Sequence, residues 1–269
     1  KIKQGSTVAR VFEESRTVMD CGNPLVFLRK PNARPLLAPL VRYCIPGLTF
    51  CNIALSGAAY AACSNTAPDS GQTASCDTTP PNPTTTNIKS VPGSTNVAVD
   101  IGAGSGLSVT RTISPVVVSV DSGSQITNDG TISLSGGGGS GGNRGAAMLG
   151  TNDNNRLTNG LLGIITTVGA YNDGMGANGS GNTLTNAGTI TTSGPFAYGM
   201  TAAWGQTNTG QANNSIINNG TVTTSGSNAR AASILGSNGV ISNTGTLQTS
   251  GNNSTAVYMQ GNNDRLTNS

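Results

Sequence analysis

Short runs in which apolar and polar residues alternate recur along residues 96–269 and predict β-strands. NVAVDI and LSVTRTI are the first of these runs, and the β-branched run VVVSV follows them. Alternation with a period of two places successive side chains on opposite faces of a strand. No window in this region has the apolar stripe of an amphipathic helix, so the pattern predicts an all-β fold.

A short motif, apolar–x–Asn–x–Gly–Thr–apolar, is repeated along the same region. ITNDGTI, LTNAGTI, IINNGTV and ISNTGTL are copies, and LTNGLLGII and the final LTNS are variants. The first apolar residues of the six units are Ile126, Leu157, Leu184, Ile216, Ile241 and Leu266. Their intervals run from 25 residues (Ile241 to Leu266) to 32 residues (Leu184 to Ile216). Self-similarity at this period is typical of a solenoid.

Each later unit also has a second half that follows the Gly-Thr-apolar element. TTSGPFAYGM, TTSGSNARAASI and QTSGNNSTAVYM each place a small residue three positions before a larger apolar one. These pairs are Ala197 and Met200, Ala231 and Ile234, and Ala256 and Met259. A single unit has too few apolar side chains to offset the entropy of ordering it. We therefore expect closed coils of 25–32 residues that stack with parallel strands, each coil containing three strands.

Asparagine and glycine have structural roles in this prediction. Parallel stacking places like residues over like, so Asn128, Asn186, Asn218 and Asn243 are expected to form an amide ladder. The glycines two positions later are expected to adopt a positive φ at a tight corner. These glycines are Gly130, Gly188, Gly220 and Gly245. A hairpin turn is the alternative for NDG or NNG, but it does not explain why the whole unit recurs.

The composition allows a second alternative, a polar disordered tract. Only 9% of the residues are charged and 4% are aromatic, there is no histidine, and glycine contributes 38 residues. A typical globular domain has about 25% charged residues. Regularly placed apolar residues and the scarcity of charge favour a repetitive β architecture over disorder.

Residues 1–61 are predicted to be a leader that carries a signal peptide. The mostly apolar stretch YCIPGLTFCNIALSGAAYAACS follows basic residues and contains an A-x-A pattern that ends at Ala61. Such a pattern predicts cleavage between Ala61 and Ala62. Met19 is proposed as the initiator.

Export implies an oxidising compartment, in which Cys63 and Cys76 are predicted to form a disulfide. A lipoprotein anchor on Cys63 is the alternative, but Tyr60 stands where such signals usually have leucine. The disulfide loop and a Pro/Thr-rich stretch occupy residues 62–95, as an extended linker or an irregular first turn. The β-solenoid is predicted over residues 96–269.

Charge argues against nucleic-acid binding. Residues 1–61 have eight basic and three acidic side chains, a net charge of +5. Residues 62–269 have six basic and eight acidic side chains, a net charge of −2, and no basic patch interleaved with aromatic residues. A nucleic-acid interface requires such a patch.

No catalytic, cofactor or metal site is predicted. VDSGSQ, at residues 120–125, is similar to the nucleophile segment of exported serine proteases, but the chain has no histidine to act as its base. Ser122 and Ser124 are therefore expected to be turn residues. Asp153, Asp173 and Asp264 stand singly in Asn/Gly-rich loops, without the spacing of calcium-binding repeats.

The aromatic residues of the exported part are scattered in the sequence: Tyr171, Phe196, Tyr198, Trp204 and Tyr258. Packing in the core or on the solenoid rim is expected for them. Trp204 lies in a long insertion and is a weak candidate for a contact site.

Taken together, the leader, the early cysteine pair and the iterated LTNAGTITTSG-like units resemble the passenger domains of Gram-negative autotransporters. This resemblance implies a right-handed parallel β-helix that passes through the periplasm and is displayed at the outer membrane or cell surface, or released. It also implies anchoring by a C-terminal β-barrel, which this chain lacks, since it ends within a repeat at DRLTNS.

The function implied by the resemblance is that of an adhesin or structural display stalk, with no enzymatic activity and with an unknown host or bacterial ligand. Two alternatives remain open. One is the passenger of a surface-exposed hydrolase whose catalytic part lies elsewhere, and the other is a solenoid secreted by a separate partner protein.

Overall fold

The computed structural model of the chain describes residues 63–110, 115–139, 144–202 and 210–269. Four predictions lie outside these residues: the leader, the initiator Met19, cleavage between Ala61 and Ala62, and the role of Trp204.

The described residues form β-strands joined by turns and loops. In chain order the strands are β1 (Thr73–Cys76), β2 (Ile88–Lys89), β3 (Ala98–Ile101), β4 (Gly106–Thr110), β5 (Val116–Val120), β6 (Gln125–Asn128), β7 (Thr131–Ser135), β8 (Gly145–Gly150), β9 (Arg156–Asn159), β10 (Ile164–Val168), β11 (Asn172–Ala177), β12 (Thr183–Asn186), β13 (Thr189–Thr192), β14 (Met200–Ala202), β15 (Ser215–Asn218), β16 (Thr221–Thr224), β17 (Arg230–Leu235), β18 (Val240–Asn243), β19 (Thr246–Thr249), β20 (Thr255–Gln260) and β21 (Arg265–Asn268).

These strands build three parallel sheets that run along the solenoid. The first sheet has the order β1-β3-β6-β9-β12-β15-β18-β21, the second β4-β7-β10-β13-β16-β19 and the third β2-β5-β8-β11-β14-β17-β20. Each coil adds one strand to the third sheet, so its seven strands correspond to seven coils. The predicted all-β parallel solenoid is confirmed, whereas its right-handed winding stays a prediction. None of the described residues forms a helix with the length and hydrophobicity of a membrane span.

The strand register shows how the repeated motif is used. Ile126 pairs with Leu157, Leu157 with Leu184, and Leu184 with Ile216, and the series continues through Ile241 to Leu266. Each motif joins a strand of the first sheet to the next strand of the second sheet. The hairpin alternative is therefore wrong, because β6 pairs with β3 and β9 and not with β7.

Apolar side chains fill the space between the three sheets. Leu157 and Leu184 from the first sheet and Ile165 and Ile190 from the second are fully buried. Full burial of one such side chain contributes about 1.5–3 kcal/mol. Stacking repeats this gain in every coil, which is why a sequence with few aromatic residues forms a continuous core.

One alignment within the repeat is wrong. Met200 pairs with Ala232, and it is Ala202 that pairs with Ile234. The spacing of three residues therefore compared Met200 with Ile234, which lie two positions apart in the register. Thr192 pairs with Thr224 in the preceding strand, and the same offset continues into the third sheet.

The first coil lies within residues 62–95, so the predicted start of the solenoid at residue 96 is one coil too late. β1 pairs in parallel with β3, and β2 pairs with β5. Thr84 forms an isolated parallel bridge with Leu107 in place of a second-sheet strand. Of the two alternatives for this segment, the irregular first turn is observed. Cys63 and Cys76 form a buried disulfide at its edge.

Candidate functional site

An asparagine ladder runs along the corner between the first and second sheets. The Nδ2 group of each asparagine donates a hydrogen bond to Oδ1 of the asparagine one coil later, at 2.7–2.8 Å. Its members are Asn128, Asn159, Asn186, Asn218, Asn243 and Asn268. Sequence reasoning assigned Asn128, Asn186, Asn218 and Asn243 and missed the other two, although both follow an apolar residue and threonine as the motif requires.

A second polar column, absent from the sequence predictions, lies four residues before the ladder. The backbone N–H of Asn155 donates to Oδ1 of Asn182 at 2.8 Å, and that of Asn182 donates to Oδ1 of Asn214 at 2.8 Å. Ser124 N–H donates likewise to Asn155 Oδ1 at 3.0 Å. The recurring pattern Asn-x-apolar-x-Asn in NRLTN, NTLTN and NSIIN was the available signal.

The corner glycines serve close packing and not an unusual backbone conformation. The prediction of a positive φ is wrong for Gly130, Gly188, Gly220 and Gly245, since none lies in the left-handed region. A Cβ on Gly188 would collide with the carbonyl oxygens of Gly163 and Gly160 in the preceding coil. Gly220 and Gly245 meet the carbonyl oxygens of Gly188 and Gly220 in the same way. The repeated motif therefore carries architecture, and functional chemistry lies elsewhere.

Four of the five aromatic residues of the exported part converge on one site at the start of the third-sheet strands. Tyr171 and Phe196 stack with parallel rings, with centroids 5.0 Å apart and an interplanar angle of 4°. Tyr198 and Tyr258 continue the site in later coils. The expectation of scattered aromatic residues is wrong for these four, because stacking brings together residues that are one coil apart in sequence.

A buried ion pair supports the aromatic residues. Arg144 Nε donates to Asp173 Oδ2 at 2.9 Å and Arg144 Nη2 to Asp173 Oδ1 at 2.5 Å. The same Nη2 reaches the carbonyl oxygen of Phe196 at 2.6 Å, and Tyr198 N–H donates to Asp173 Oδ1 at 2.7 Å. Burial acts to lower the pKa of Arg144, but the Asp173 carboxylate outweighs it and the pKa is raised. The guanidinium group therefore stays charged inside the site.

A second arginine alternates with the tyrosines. The guanidinium carbon of Arg144 lies 4.2 Å from the ring centroid of Tyr198, and that of Arg230 lies 5.1 Å from Tyr198 and 3.5 Å from Tyr258. Cation–π contacts of this kind contribute about 0.5–2 kcal/mol each. We call this set the arginine–aromatic ridge: Arg144, Tyr171, Asp173, Phe196, Tyr198, Arg230 and Tyr258.

The two arginines of the ridge differ in their electrostatic state. Arg144 is buried and paired, and its pair with Asp173 is the one ion pair within 4 Å among the described residues. Arg230 is half-buried, and its printed polar contact is a hydrogen bond from Nη1 to Ser233 Oγ at 3.2 Å. The ridge therefore has one positive charge in excess, located on Arg230.

Comparison with protein families decides the classification of the solenoid. Residues 82–266 match the family model described as the BigA third pectate lyase-like domain. The chain belongs to this family. Comparison with curated proteins and with solved structures found no match.

The match to the BigA third pectate lyase-like domain includes every residue of the ridge. It begins in the first coil, at residue 82, and ends within β21, at residue 266. The Cys63–Cys76 disulfide precedes the matched residues. The asparagine ladder is included from Asn128 through Asn243.

The serine-protease-like segment has a structural role within this BigA-type solenoid. Asp121 accepts hydrogen bonds from Gly93 N–H at 2.8 Å and from Asn152 Nδ2 at 2.5 Å. Burial acts to raise the pKa of Asp121, but these bonds and those from Ser122 outweigh it and the pKa is lowered. Ser124 Oγ accepts from Val97 N–H at 2.9 Å, so these residues link neighbouring coils.

The remaining acidic loop residues also link coils. Asp153 Oδ1 accepts from Ser180 N–H at 2.7 Å, and Asp264 Oδ1 accepts from Gly239 N–H at 2.8 Å. Within the part of the chain that the structure describes, no group of three or more His, Cys, Asp or Glu side chains could hold a metal ion.

A second surface feature is apolar. Leu161 and Leu162, in the turn between β9 and β10, are 79% and 64% exposed. Ile164 and Val168 point outward from β10 and are 46% and 50% exposed. On the neighbouring strands β7 and β13 the positions that pair with Ile164 are Thr131 and Thr189.

Proposed function

We propose that this chain is a bacterial surface solenoid of the autotransporter-passenger type that acts as an adhesin or display stalk. The sequence resemblance and membership of the BigA third pectate lyase-like family support this proposal. The carrying observation is the ridge, which presents an unpaired cation between aromatic rings on successive coils of a hydrogen-bonded scaffold.

The scaffold suits such a role because its coils are linked at several corners. Parallel strands, the asparagine ladder and the second polar column join each coil to the next by backbone and side-chain hydrogen bonds. Contact residues on this scaffold keep fixed spacings along the solenoid. Neighbouring strands are about 4.8 Å apart, so the ridge extends over roughly 19 Å from β8 to β20.

The proposed route is export through the periplasm to the outer membrane and the cell surface, or release from it. The predicted signal peptide and the Cys63–Cys76 disulfide support this route, since disulfides persist in oxidising compartments.

An adhesion assay tests the proposal. The full chain is coupled to fluorescent beads, and bead binding is counted on cultured epithelial cells, on fibroblasts and on bacterial cells, with albumin-coated beads as the control. We expect binding to at least one surface above the albumin level. Binding at the albumin level on every surface contradicts an adhesive function.

A second candidate is cleavage of an acidic polysaccharide, which is favoured by the pectate lyase-like description of the family. Incubation of the full chain with polygalacturonate, followed by ultraviolet absorbance of unsaturated uronate and by a reducing-end assay, tests this candidate. Product above the level of a heat-denatured sample supports it, and product at that level rejects it.

A further inference from the structure

We infer that the arginine–aromatic ridge docks a protein partner that presents a carboxylate beside an apolar side chain, and that Arg230 binds this carboxylate. The inference rests on the proposed adhesive function and specifies the kind of partner at its contact site. It is carried by three observations: the charge state of Arg230, the composition of the ridge, and the rigidity of its support.

Charge comes first. Arg144 is neutralised by Asp173, whereas Arg230 has no carboxylate within ion-pair distance among the described residues. Its guanidinium group is held flat against Tyr258, at 3.5 Å from the ring centroid. A guanidinium group whose face is occupied still offers N–H donors along its edge, and this fork matches a carboxylate. A docked carboxylate would therefore complete the pairing that the chain leaves open.

Composition favours a protein over a sugar chain. Tyrosine, arginine and phenylalanine are enriched in the buried centres of protein interfaces, and tyrosine and arginine dominate their binding energy. Arg144 and Arg230 lie over Tyr198, and Arg230 lies over Tyr258, so guanidinium groups already cover these rings. A sugar ring would need an open aromatic face. The 36% exposed Phe196 instead offers an edge on which an apolar side chain can pack.

Rigidity lowers the cost of binding. Tyr171 and Phe196 are stacked, and the Asp173 carboxylate is bonded both to Arg144 and to the backbone of Tyr198. These side chains are ordered before a partner arrives, so little side-chain entropy is lost on docking. Arg144 and Asp173 are therefore positioning residues, while Arg230, Tyr258 and Phe196 form the contact surface.

The test uses the bead adhesion assay with the full chain and the variants Arg230→Gln and Arg230→Lys. Arg156→Gln is the matched control, since Arg156 is an exposed arginine on the first sheet. We expect the apparent affinity to fall about tenfold or more for Arg230→Gln. Arg230→Lys should also weaken adhesion, because lysine keeps the charge but loses the planar fork. Arg156→Gln should adhere like the wild type. Thermal unfolding checks that each variant is folded.

Three treatments of the target cells identify the ligand chemistry. Blocking of surface carboxylates with carbodiimide and ethanolamine should lower wild-type adhesion to the Arg230→Gln level and leave that variant unchanged. Protease treatment should abolish adhesion, whereas sialidase, heparinase and chondroitinase should leave it intact. Loss of adhesion after the glycosidases would assign the ridge to an acidic glycan and overturn the inference.

The outcomes separate the two proposals. If wild-type beads adhere and folded Arg230→Gln beads adhere equally well, the docking inference is wrong while the adhesive function stands. Wild-type adhesion that survives carboxylate blocking also rejects the inference. If wild-type beads adhere to no surface, the adhesive function itself fails.

Discussion

Asn128 and Asn159 are 31 residues apart in sequence, yet the side-chain amide of the first donates to that of the second at 2.7 Å. This bond is one step of a ladder that continues to Asn268. Both side chains are fully buried. A buried amide without partners costs about 1–3 kcal/mol. The ladder therefore makes the position of each coil depend on its neighbours.

Removal of a ladder amide should destabilise the solenoid. Asn186 accepts from Asn159 and donates to Asn218, each at 2.8 Å. We expect Asn186→Ala to lower the free energy of unfolding by about 1–3 kcal/mol, because it leaves both neighbours without their bonds. Urea unfolding followed by circular dichroism measures this change. Asn252→Ala, in an exposed turn, is the control and should change stability by less than about 0.5 kcal/mol.

The corner glycines should tolerate no side chain. In Gly188→Ala the added Cβ collides with the carbonyl oxygens of Gly163 and Gly160, and we expect a loss of about 1–3 kcal/mol or more. Gly188→Val should disrupt folding locally. Gly137→Ala is matched to it, since a Cβ there has open space. Equal thermal midpoints for Gly188→Ala and Gly137→Ala would refute the packing argument.

The buried ion pair should be costly to break from one side. Arg144→Met leaves the fully buried Asp173 carboxylate without its bidentate partner, and we expect a loss of about 3–5 kcal/mol. Arg265→Met, at an exposed position, should be nearly neutral. Chemical unfolding of both variants at neutral pH makes the comparison. A loss below about 1 kcal/mol for Arg144→Met would show that the pair does not hold the ridge.

Asp121 should make stability depend on pH. Its folded-state pKa is lowered, so the folded state binds its proton less tightly than the unfolded state does. The stabilisation is complete above the unfolded pKa of about 3.9 and is lost as pH falls through the folded pKa. The difference in unfolding free energy between wild type and Asp121→Asn should therefore shrink on acidification below about pH 4. A difference that is constant from neutral pH to acid would contradict this assignment.

The exposed apolar turn should affect association and not folding. Leu161→Ser with Leu162→Ser removes two largely exposed side chains, so we expect a change in stability of about 0.5 kcal/mol or less. Self-association, measured by sedimentation velocity over a concentration series, should decrease. A large fall in the thermal midpoint would show that these leucines are packed against another part of the chain.

Much of the fold could be predicted from residues that recur at one position. Ile126, Leu157 and Leu184 marked successive coils because their spacing follows the period, and the register agrees with them. Coils without the full motif were missed: β1 and β2 lie in a Pro/Thr-rich stretch whose strands are short and irregular. The positive φ was assigned to Gly188 from turn chemistry, but the conformation of a solenoid corner depends on the coil beneath it.

The ridge could not be predicted in the same way. Tyr198 and Arg230 are 32 positions apart, and Tyr258 follows 28 positions later. Their contact requires both the length of each coil and the face of the sheet on which each side chain lies. The second half of the unit was aligned two positions out at Met200, so residues on the outer face of the third sheet could not be matched between coils.

Coils of unequal length on a constant ladder also determine how this solenoid would yield to a mechanical load. Tension along its axis pulls on the bonds between coils, so the chain should peel away one coil at a time. The ladder spacings of 25 and 32 residues correspond to released lengths of roughly 85 Å and 110 Å, at the extended reach of a polypeptide. A single molecule under force would therefore extend in uneven steps whose order follows the loop lengths along the sequence.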